Sequence, residues 1–464
     1  MQQYILPKKV HANKEGTFEN LLKKQPLQIG LSERKTVTFE ENEYVILDFG
    51  AEMCGGVRIL CYSAKNVPVR IRFGESLTEC CSEIGGETNA TNDHSLRDFS
   101  IHLRDYSDMT FGQTGFRFVR LDFCGHTVLK SVIAVNQILK KPVLYRYQGE
   151  DERILAIYEA AKRTIDLCSS GSYVWDGVKR DRLVWIGDMA PEVLALTTLY
   201  GRLPCIERSL DFVRDQTPIP GWMNNIPMYS MWWIIVLADY FEQTGAREFV
   251  KKQMPYLSEL IGQIDGCIGE DGSLSYPFYF VDWPTHDQPD ELAGVRAINI
   301  IAMKKAIVLL NEFGMDTTLA NAMLARLLKV EIVAKSSKQV LGLKYFATEL
   351  TEEDKQLLVA GGAKGMSTFM SYYILKAVAS FDREAAIQMM KDYYGAMLEK
   401  GSTTFWEDFD MEWAENSCRI DEYPTDGQKD IHGDFGKFCY QGFRHSLCHG
   451  WSAGVIGFLA EEGV

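Results

Sequence analysis

The chain has 464 residues, a formal net charge of −14 and a hydrophobic fraction of 46%. That length exceeds one compact core and suits two domains, and the apolar content is that of an ordinary globular protein. The negative balance argues against nucleic acid as a partner, because phosphate binding needs a basic patch.

The first residues carry no apolar run of the signal-peptide type. Up to Gln148, short alternating apolar and polar runs dominate. They predict strands over 36–39, 44–49, 56–62, 67–73, 116–123 and 131–135, punctuated by Gly, Asn and Pro. Several short strands at this spacing predict an antiparallel sandwich. The polar, Gly- and Asn-rich stretch from Glu83 to Arg97 reads as a long loop.

After Gln148 the period becomes helical, with Ile154, Ile157, Tyr158, Ala161, Ile165 and Cys168 at steps of three and four. Further helices are predicted over 191–200, 206–215, 228–244, 246–264, 292–312, 317–334, 364–379, 383–398 and 446–460, with an inserted hairpin over 267–281. No segment approaches the roughly 20 apolar residues of a membrane span. The most apolar run, 231–238, meets Asp239 and reads as a buried helix. About ten helices without internal repetition fit a barrel of paired helical hairpins better than a solenoid. The expected domains are therefore 1–147 and 148–464.

The eleven cysteines have no framework spacing and an odd count. Free thiols in a reducing compartment follow, so the expected location is the cytoplasm. His445, Cys448 and His449 admit a zinc reading, but no second ligand cluster accompanies them, and no metal is expected.

The densest chemistry lies in Asp176-Gly177-Val178-Lys179-Arg180-Asp181-Arg182-Leu183-Val184-Trp185-Ile186-Gly187-Asp188. Solvated helix faces collect charges too, but rarely interleave them with Gly and Trp. Sugar sites need this mixture: carboxylates to move protons and accept from hydroxyls, Arg to donate, and an aromatic wall for the apolar face of the ring. A second acidic segment is Trp406-Glu407-Asp408-Phe409-Asp410, and its residues alone do not choose among the three carboxylates.

The run 176–188 resembles the signature of the bacterial α-L-rhamnosidases of glycoside hydrolase family 78. Lys400-Gly401-Ser402-Thr403-Thr404-Phe405-Trp406-Glu407 is similar to that family's Gly-Ala-Thr…Trp-Glu element. Ser446-Leu447-Cys448-His449-Gly450-Trp451-Ser452-Ala453-Gly454 is similar to its His-x-Trp-Ser-Ala-Gly element. Tyr229-Ser230-Met231-Trp232-Trp233, Val281-Asp282-Trp283-Pro284, Leu47-Asp48-Phe49-Gly50 and Gly115-Phe116-Arg117-Phe118-Val119 extend the resemblance over nearly the whole chain. It implies an antiparallel β-sandwich followed by an (α/α)6 barrel. It also implies an exo-acting hydrolase that releases terminal α-L-rhamnose with inversion and no cofactor. Many members carry Arg-Asp-Glu-Arg with Glu as the acid; here the shorter Arg180-Asp181-Arg182 makes Asp181 the matching position. Members also commonly continue into a C-terminal β-domain. This chain is expected to be a short form, with an end that would suit a homodimer.

The resemblance implies Asp181 as general acid and Glu407 as general base. Asp176, Arg180 and Asp188 are the expected hydroxyl ligands, His449 either bonds the sugar or orients Glu407, and Trp185, Trp283 and Trp406 are the candidate walls. Each has a plainer reading: Asp181 paired with Arg180 or Arg182 to hold a loop, Asp188 as a helix N-cap, a Trp packed in the core. Two other functions compete. One is a different six-hairpin glycosidase, including a uronidase if Lys179 or Arg182 faces the C5 substituent. The other is a noncatalytic carbohydrate-binding protein. The expected partner is a rhamnoside, with no nucleic acid and no membrane.

Overall fold

The computed structural model describes residues 1–25, 35–83, 97–438 and 441–464. Among them, eight strands form the N-terminal part: β1 (Gln2–Ile5), β2 (Lys9–Ala12), β3 (Val37–Phe39), β4 (Tyr44–Ser63), β5 (Pro68–Gly74), β6 (Asp98–His102), β7 (Ser107–Phe123) and β8 (Thr127–Gln137). Two short helices, α1 (Glu19–Leu22) and α2 (Leu77–Cys81), accompany them. Every strand pairing is antiparallel.

Strand β4 is long because it serves both layers of a sandwich. Its first residues pair with β2 and with the second half of β7; its last residues pair with the first half of β7 and with β8. Register breaks between Asp48 and Met53 and between Gly55 and Val57 mark the corner where it changes layer. The chains are too close there for a side chain. A Cβ on Gly55 would lie 2.0 Å from the Val135 carbonyl oxygen, and one on Gly56 2.2 Å from that of Gly112. Val45, Leu47, Val119 and Leu121 from one layer meet Val57, Ile59, Leu129 and Val132 from the other in one core. The expected strands 44–49 and 56–62 are thus two halves of one element.

The helical part comprises α3 (Glu152–Cys168), α4 (Met189–Tyr200), α5 (Pro204–Gln216), α6 (Pro227–Thr244), α7 (Arg247–Asp265), α8 (Glu291–Glu312), α9 (Thr318–Leu327), α10 (Lys338–Ala347), α11 (Glu352–Val359), α12 (Ser371–Ala379), α13 (Arg383–Glu399) and α14 (Val455–Glu461). Helices α4, α6, α8, α10, α12 and α14 touch in that order, and α14 closes back onto α4. The odd-numbered helices from α3 to α13 alternate with them on the outside, giving six hairpins around a closed ring. Sequence dictates the division. Inner α6 is buried without interruption from Pro227 to Ala238, then stops at Gly245 in the left-handed conformation. Outer α3 buries one stripe, and its N-terminus is capped by the Asp151 carboxylate accepting from the Arg153 and Ile154 N–H groups. The chain therefore adopts the expected antiparallel sandwich followed by an (α/α)6 barrel.

Several expected elements differ. The helix expected over 317–334 ends at Leu327. That over 364–379 begins at Ser371. The stretch 446–460 is a 3-10 turn, Gly450–Gly454, leading into α14. The hairpin over 267–281 reduces to one bridge between Ile268 and Leu274. Helices α10 and α11 were not expected. Of the long loop expected between Glu83 and Arg97, positions 84–96 lie outside the described residues.

Candidate active site

The connections that enter the inner helices converge at one mouth of the barrel. They contribute a pocket lined by Asp176, Arg180, Asp181, Trp185, Asp188, Ile226, Tyr229, Phe280, Trp283, Glu407, His449 and Trp451. The thirteen-residue run is the connection from α3 to α4, and Glu407 and His449 lie on the connection from α13 to α14. Asp188 immediately precedes α4 and Ile226 immediately precedes α6, so the N-terminal ends of these two helices border the pocket, a setting that favours negative charge.

Arg180 organises the centre. Its Nη1 donates to Asp181 Oδ2 at 2.8 Å, its Nη2 to Glu407 Oε1, and its Nε to the Arg444 carbonyl at 2.9 Å. One guanidinium thus holds the carboxylates of Asp181 and Glu407 at once. Asp181 sits at the centre of a three-residue turn closed by the Arg182 N–H on the Arg180 carbonyl at 2.6 Å. Asp181 and Arg182 have φ of +53° and +49°, a costly conformation for side-chain-bearing residues. The turn is pinned to the sandwich, where the Arg182 guanidinium donates to the Gln113 carbonyl at 2.9 Å.

Glu407 is fixed from three more sides. Its Oε2 accepts from the Ser446 N–H at 3.1 Å. Its carbonyl accepts from the Trp451 indole at 2.9 Å and from the Thr368 hydroxyl at 2.5 Å. The segment also separates the three carboxylates that the residues alone left open. Glu407 lines the pocket, while the Asp410 side chain accepts from the Glu412 N–H and caps a turn. Asp408 lines a smaller cavity with Asp282, and burial, opposed by the Phe409 N–H, pushes its carboxyl up to about 7.

The other wall is acidic and buried. His449 Nε2 lies 3.6 Å from Glu407, 3.8 Å from Asp188 and 4.0 Å from Asp176. Burial, reinforced by Arg180, drives the imidazole well below its ordinary range. Burial likewise raises Asp176 and Asp188 well above the usual carboxylate range; Asp188 and Asp181 add to it at Asp176, and Glu407 and Asp181 at Asp188. The Tyr229 hydroxyl donates to Asp188 at 3.0 Å. Gly187 is required for that approach, since a Cβ there would fall 2.3 Å from the Tyr229 ring. Beneath them Glu192 is 1% exposed, and both its oxygens, like His449 Nδ1, have no hydrogen-bond partner among the described residues.

Trp185, Trp283, Ile226 and Phe280 supply the apolar side. Trp283 stands edge-on to Phe280 at 5.2 Å.

The structure therefore brings together Asp176, Arg180, Asp181, Trp185, Asp188, Trp283, Glu407 and His449. It does not bring Trp406, which is fully buried behind Glu407, edge-on to Phe409 and His445. Asp188 occupies the N-cap position of α4 but makes no capping bond, because its carboxylate is turned to Tyr229. His445 and His449 do not share a ligand: His445 Nε2 accepts from the Asp408 N–H at 2.9 Å, whereas His449 faces the pocket. Lys179 and Arg182 do not line the pocket. Ile226, Tyr229, Phe280 and Trp451 line it without having been assigned roles from sequence. Tyr229 and Trp451 fall inside motif segments already singled out, which is the signal that pointed to them.

No protein-family model matches the chain, and no curated protein sequence does. Solved structures are similar to it. A rhamnosidase from Klebsiella oxytoca with rhamnose bound has a TM-score of 0.77 at 18% identity, over 100% of this chain and 96% of that one. A GH78 family rhamnosidase of Bacillus sp. GL1 has a TM-score of 0.72 at 18% identity, over 95% of this chain and 48% of that one. An α-L-rhamnosidase from Dictyoglumus thermophilum has a TM-score of 0.70 at 15% identity, over 99% of this chain and 51% of that one. The chain thus spans nearly all of the first and about half of the other two. At these identities the likeness defines a fold, a β-sandwich joined to an (α/α)6 barrel.

Proposed function

We propose that this protein is an exo-acting, inverting α-L-rhamnosidase, with Asp181 as general acid and Glu407 as general base. The observation that carries the reading is the single guanidinium of Arg180 holding both carboxylates at the mouth of a pocket with one acidic and one apolar side. Inverting hydrolysis uses such a pair: one carboxyl protonates the leaving oxygen while the other activates water on the opposite face of the sugar. Asp181 is the more exposed, with 20% of its side chain accessible against 3% for Glu407. That suits a group meeting the departing aglycone, with the base deeper in the pocket. Asp176, Asp188 and His449 would bond sugar hydroxyls. The wall of Trp185, Ile226, Phe280 and Trp283 suits the C5 methyl of a 6-deoxy sugar. The likeness to a rhamnosidase structure with rhamnose bound supports the same substrate. The ten described cysteines are all free, which supports a reducing compartment and a cytoplasmic enzyme.

A uronide is disfavoured. Arg180 is the one Lys or Arg among the described residues lining the pocket, and its three nitrogens are engaged with two carboxylates and a carbonyl. A noncatalytic sugar-binding protein would have no use for a buried, rigidly held Glu407. The test is a panel of 4-nitrophenyl glycosides given to wild type, Asp181→Asn and Glu407→Gln. The expected result is cleavage of the α-L-rhamnoside, lowered roughly 10²- to 10⁴-fold by either substitution. Equal cleavage by wild type and Glu407→Gln would overturn the assigned base. A folded wild type that cleaves another glycoside instead would replace the sugar.

A further inference from the structure

Behind Arg180 and Glu407, where sandwich meets barrel, lies a second charged cluster that the chemistry above does not use. Glu75 follows β5, Glu79 is on α2, and both come from the sandwich; Lys179 and His432 face them from the barrel side. The side chains of Glu75, Glu79, Lys179 and His432 are all inaccessible to solvent. Glu75, Glu79 and His432 have their ligand atoms close enough to hold a metal ion. An ammonium group takes that place: Lys179 Nζ lies 2.9 Å from Glu79, 3.3 Å from Glu75 and 3.4 Å from His432 Nε2. It also donates to the His445 carbonyl at 2.6 Å. Arg97 adds a second cation on Glu79 at 2.6 Å.

The cluster is wired to the candidate base. Glu75 Oε2 accepts from the Leu447 N–H at 2.6 Å, and Oε1 from the Ser446 hydroxyl at 3.3 Å. Ser446 in turn donates its N–H to Glu407 Oε2 at 3.1 Å, and its carbonyl accepts from the Glu407 N–H at 2.9 Å. Lys179 holds the His445 carbonyl on the same segment and is the chain neighbour of Arg180, which bonds the other Glu407 oxygen. One oxygen of Glu407 is therefore oriented by the Ser446 backbone, which Glu75 fixes, and the other by the guanidinium of Arg180, the chain neighbour of Lys179. We infer that Glu75, a residue of the sandwich, is a positioning residue for Glu407, so that the sandwich completes the active site and is not merely a neighbour of it. The inference rests on the hydrolase reading above. Its physical basis is that groups holding the partners of reacting groups fix them to fractions of an ångström, and their loss lowers turnover more than binding.

The experiment compares wild type, Glu75→Ala, Glu75→Gln and Asp421→Asn as full-length chains. Gln keeps an acceptor for the Leu447 N–H; Ala does not. Asp421 bonds Arg117 at 3.1 Å across the same domain boundary without touching Ser446, so it controls for a general loosening. On aryl α-L-rhamnoside, Glu75→Ala is expected to lower kcat roughly 10- to 100-fold with KM unchanged. Glu75→Gln is expected to restore most of kcat, and Asp421→Asn to lose stability but not kcat. Amide hydrogen exchange read by mass spectrometry supplies a measure that needs no substrate. Glu75→Ala is expected to lose protection over 405–408 and 445–448, with the peptides of α6 and α8 unchanged. If wild type cleaves no rhamnoside, the rhamnosidase reading fails and the exchange result alone decides the positioning. Unchanged exchange at 405–408 overturns the inference, as does a kcat loss in Asp421→Asn equal to that in Glu75→Ala.

Discussion

A side chain's neighbours along the chain say little about which way it faces, and this site shows the consequence. Within Lys179-Arg180-Asp181, Lys179 enters the buried cluster, Arg180 spans the pocket and Asp181 stands at its rim. Charge and spacing singled out the run, but could not separate Lys179 from Arg180. The same holds for Trp406 and Glu407: the motif names both, and only packing sends the indole into the core. The contact of Tyr229 with Asp188 joins residues 41 apart in sequence and was not legible at all. Glu192 yields a prediction at this scale. A buried carboxyl with neither oxygen bonded costs about 1–3 kcal/mol, so Glu192→Leu is expected to stabilise the fold by about that amount in urea denaturation. Burial, with Asp188 and Asp176 adding, raises this carboxyl in the folded state. The folded protein therefore binds the proton more tightly than the unfolded chain. The group's cost is smallest below the unfolded Glu value of about 4.3, where both states hold the proton, and grows as pH rises toward the folded value. The gain from Glu192→Leu should accordingly grow with pH, and a gain that shrinks with pH would contradict the assignment.

Elements were legible where burial has a period. Helix α3 shows one apolar stripe, and α6 carries the apolar run 231–238 between Pro227 and Gly245; both are found close to their expected limits. Helix α10 hid because it is buried on most faces and carries Gly342, whose missing side chain lets α12 approach: a Cβ there would lie 2.9 Å from the Ile374 nitrogen. Its sequence has neither a stripe nor a helix former at that point. Helix α11 is different, since its Thr351–Asp354 capping box was available to read. Strand β4 was divided in two by its glycines, which are the device that lets one strand serve both layers. Gly56→Ala tests that account. The added Cβ meets the backbone oxygens of Gly112 and Phe111, both at 2.2 Å, and no rotamer can relieve it. A loss of at least about 1–3 kcal/mol is expected in denaturation, and a neutral result would show that the corner is looser than described.

At the scale of the molecule, the sandwich and the barrel share one functional face. Strand β7 holds the signature turn through Arg182, and Glu75 holds the turn beside Glu407. This joint was the least legible feature, because it depends on pairs separated by 69 to 372 residues. Substrate choice is also a property of the assembled pocket. With Arg180, the one guanidinium lining it among the described residues, committed to Asp181 and Glu407 and an apolar wall opposite, 4-nitrophenyl β-D-glucuronide is expected to remain intact where the α-L-rhamnoside is cleaved; equal rates would place a uronate site here. The most direct test of the account is proton NMR of 4-nitrophenyl α-L-rhamnoside hydrolysis, followed from the first turnovers in wild type and in Glu407→Gln. An inverting pair held by Arg180 releases β-L-rhamnose first, and the variant releases none at a comparable rate. Release of α-L-rhamnose first, or an uncleaved substrate in the presence of folded wild type, would contradict it.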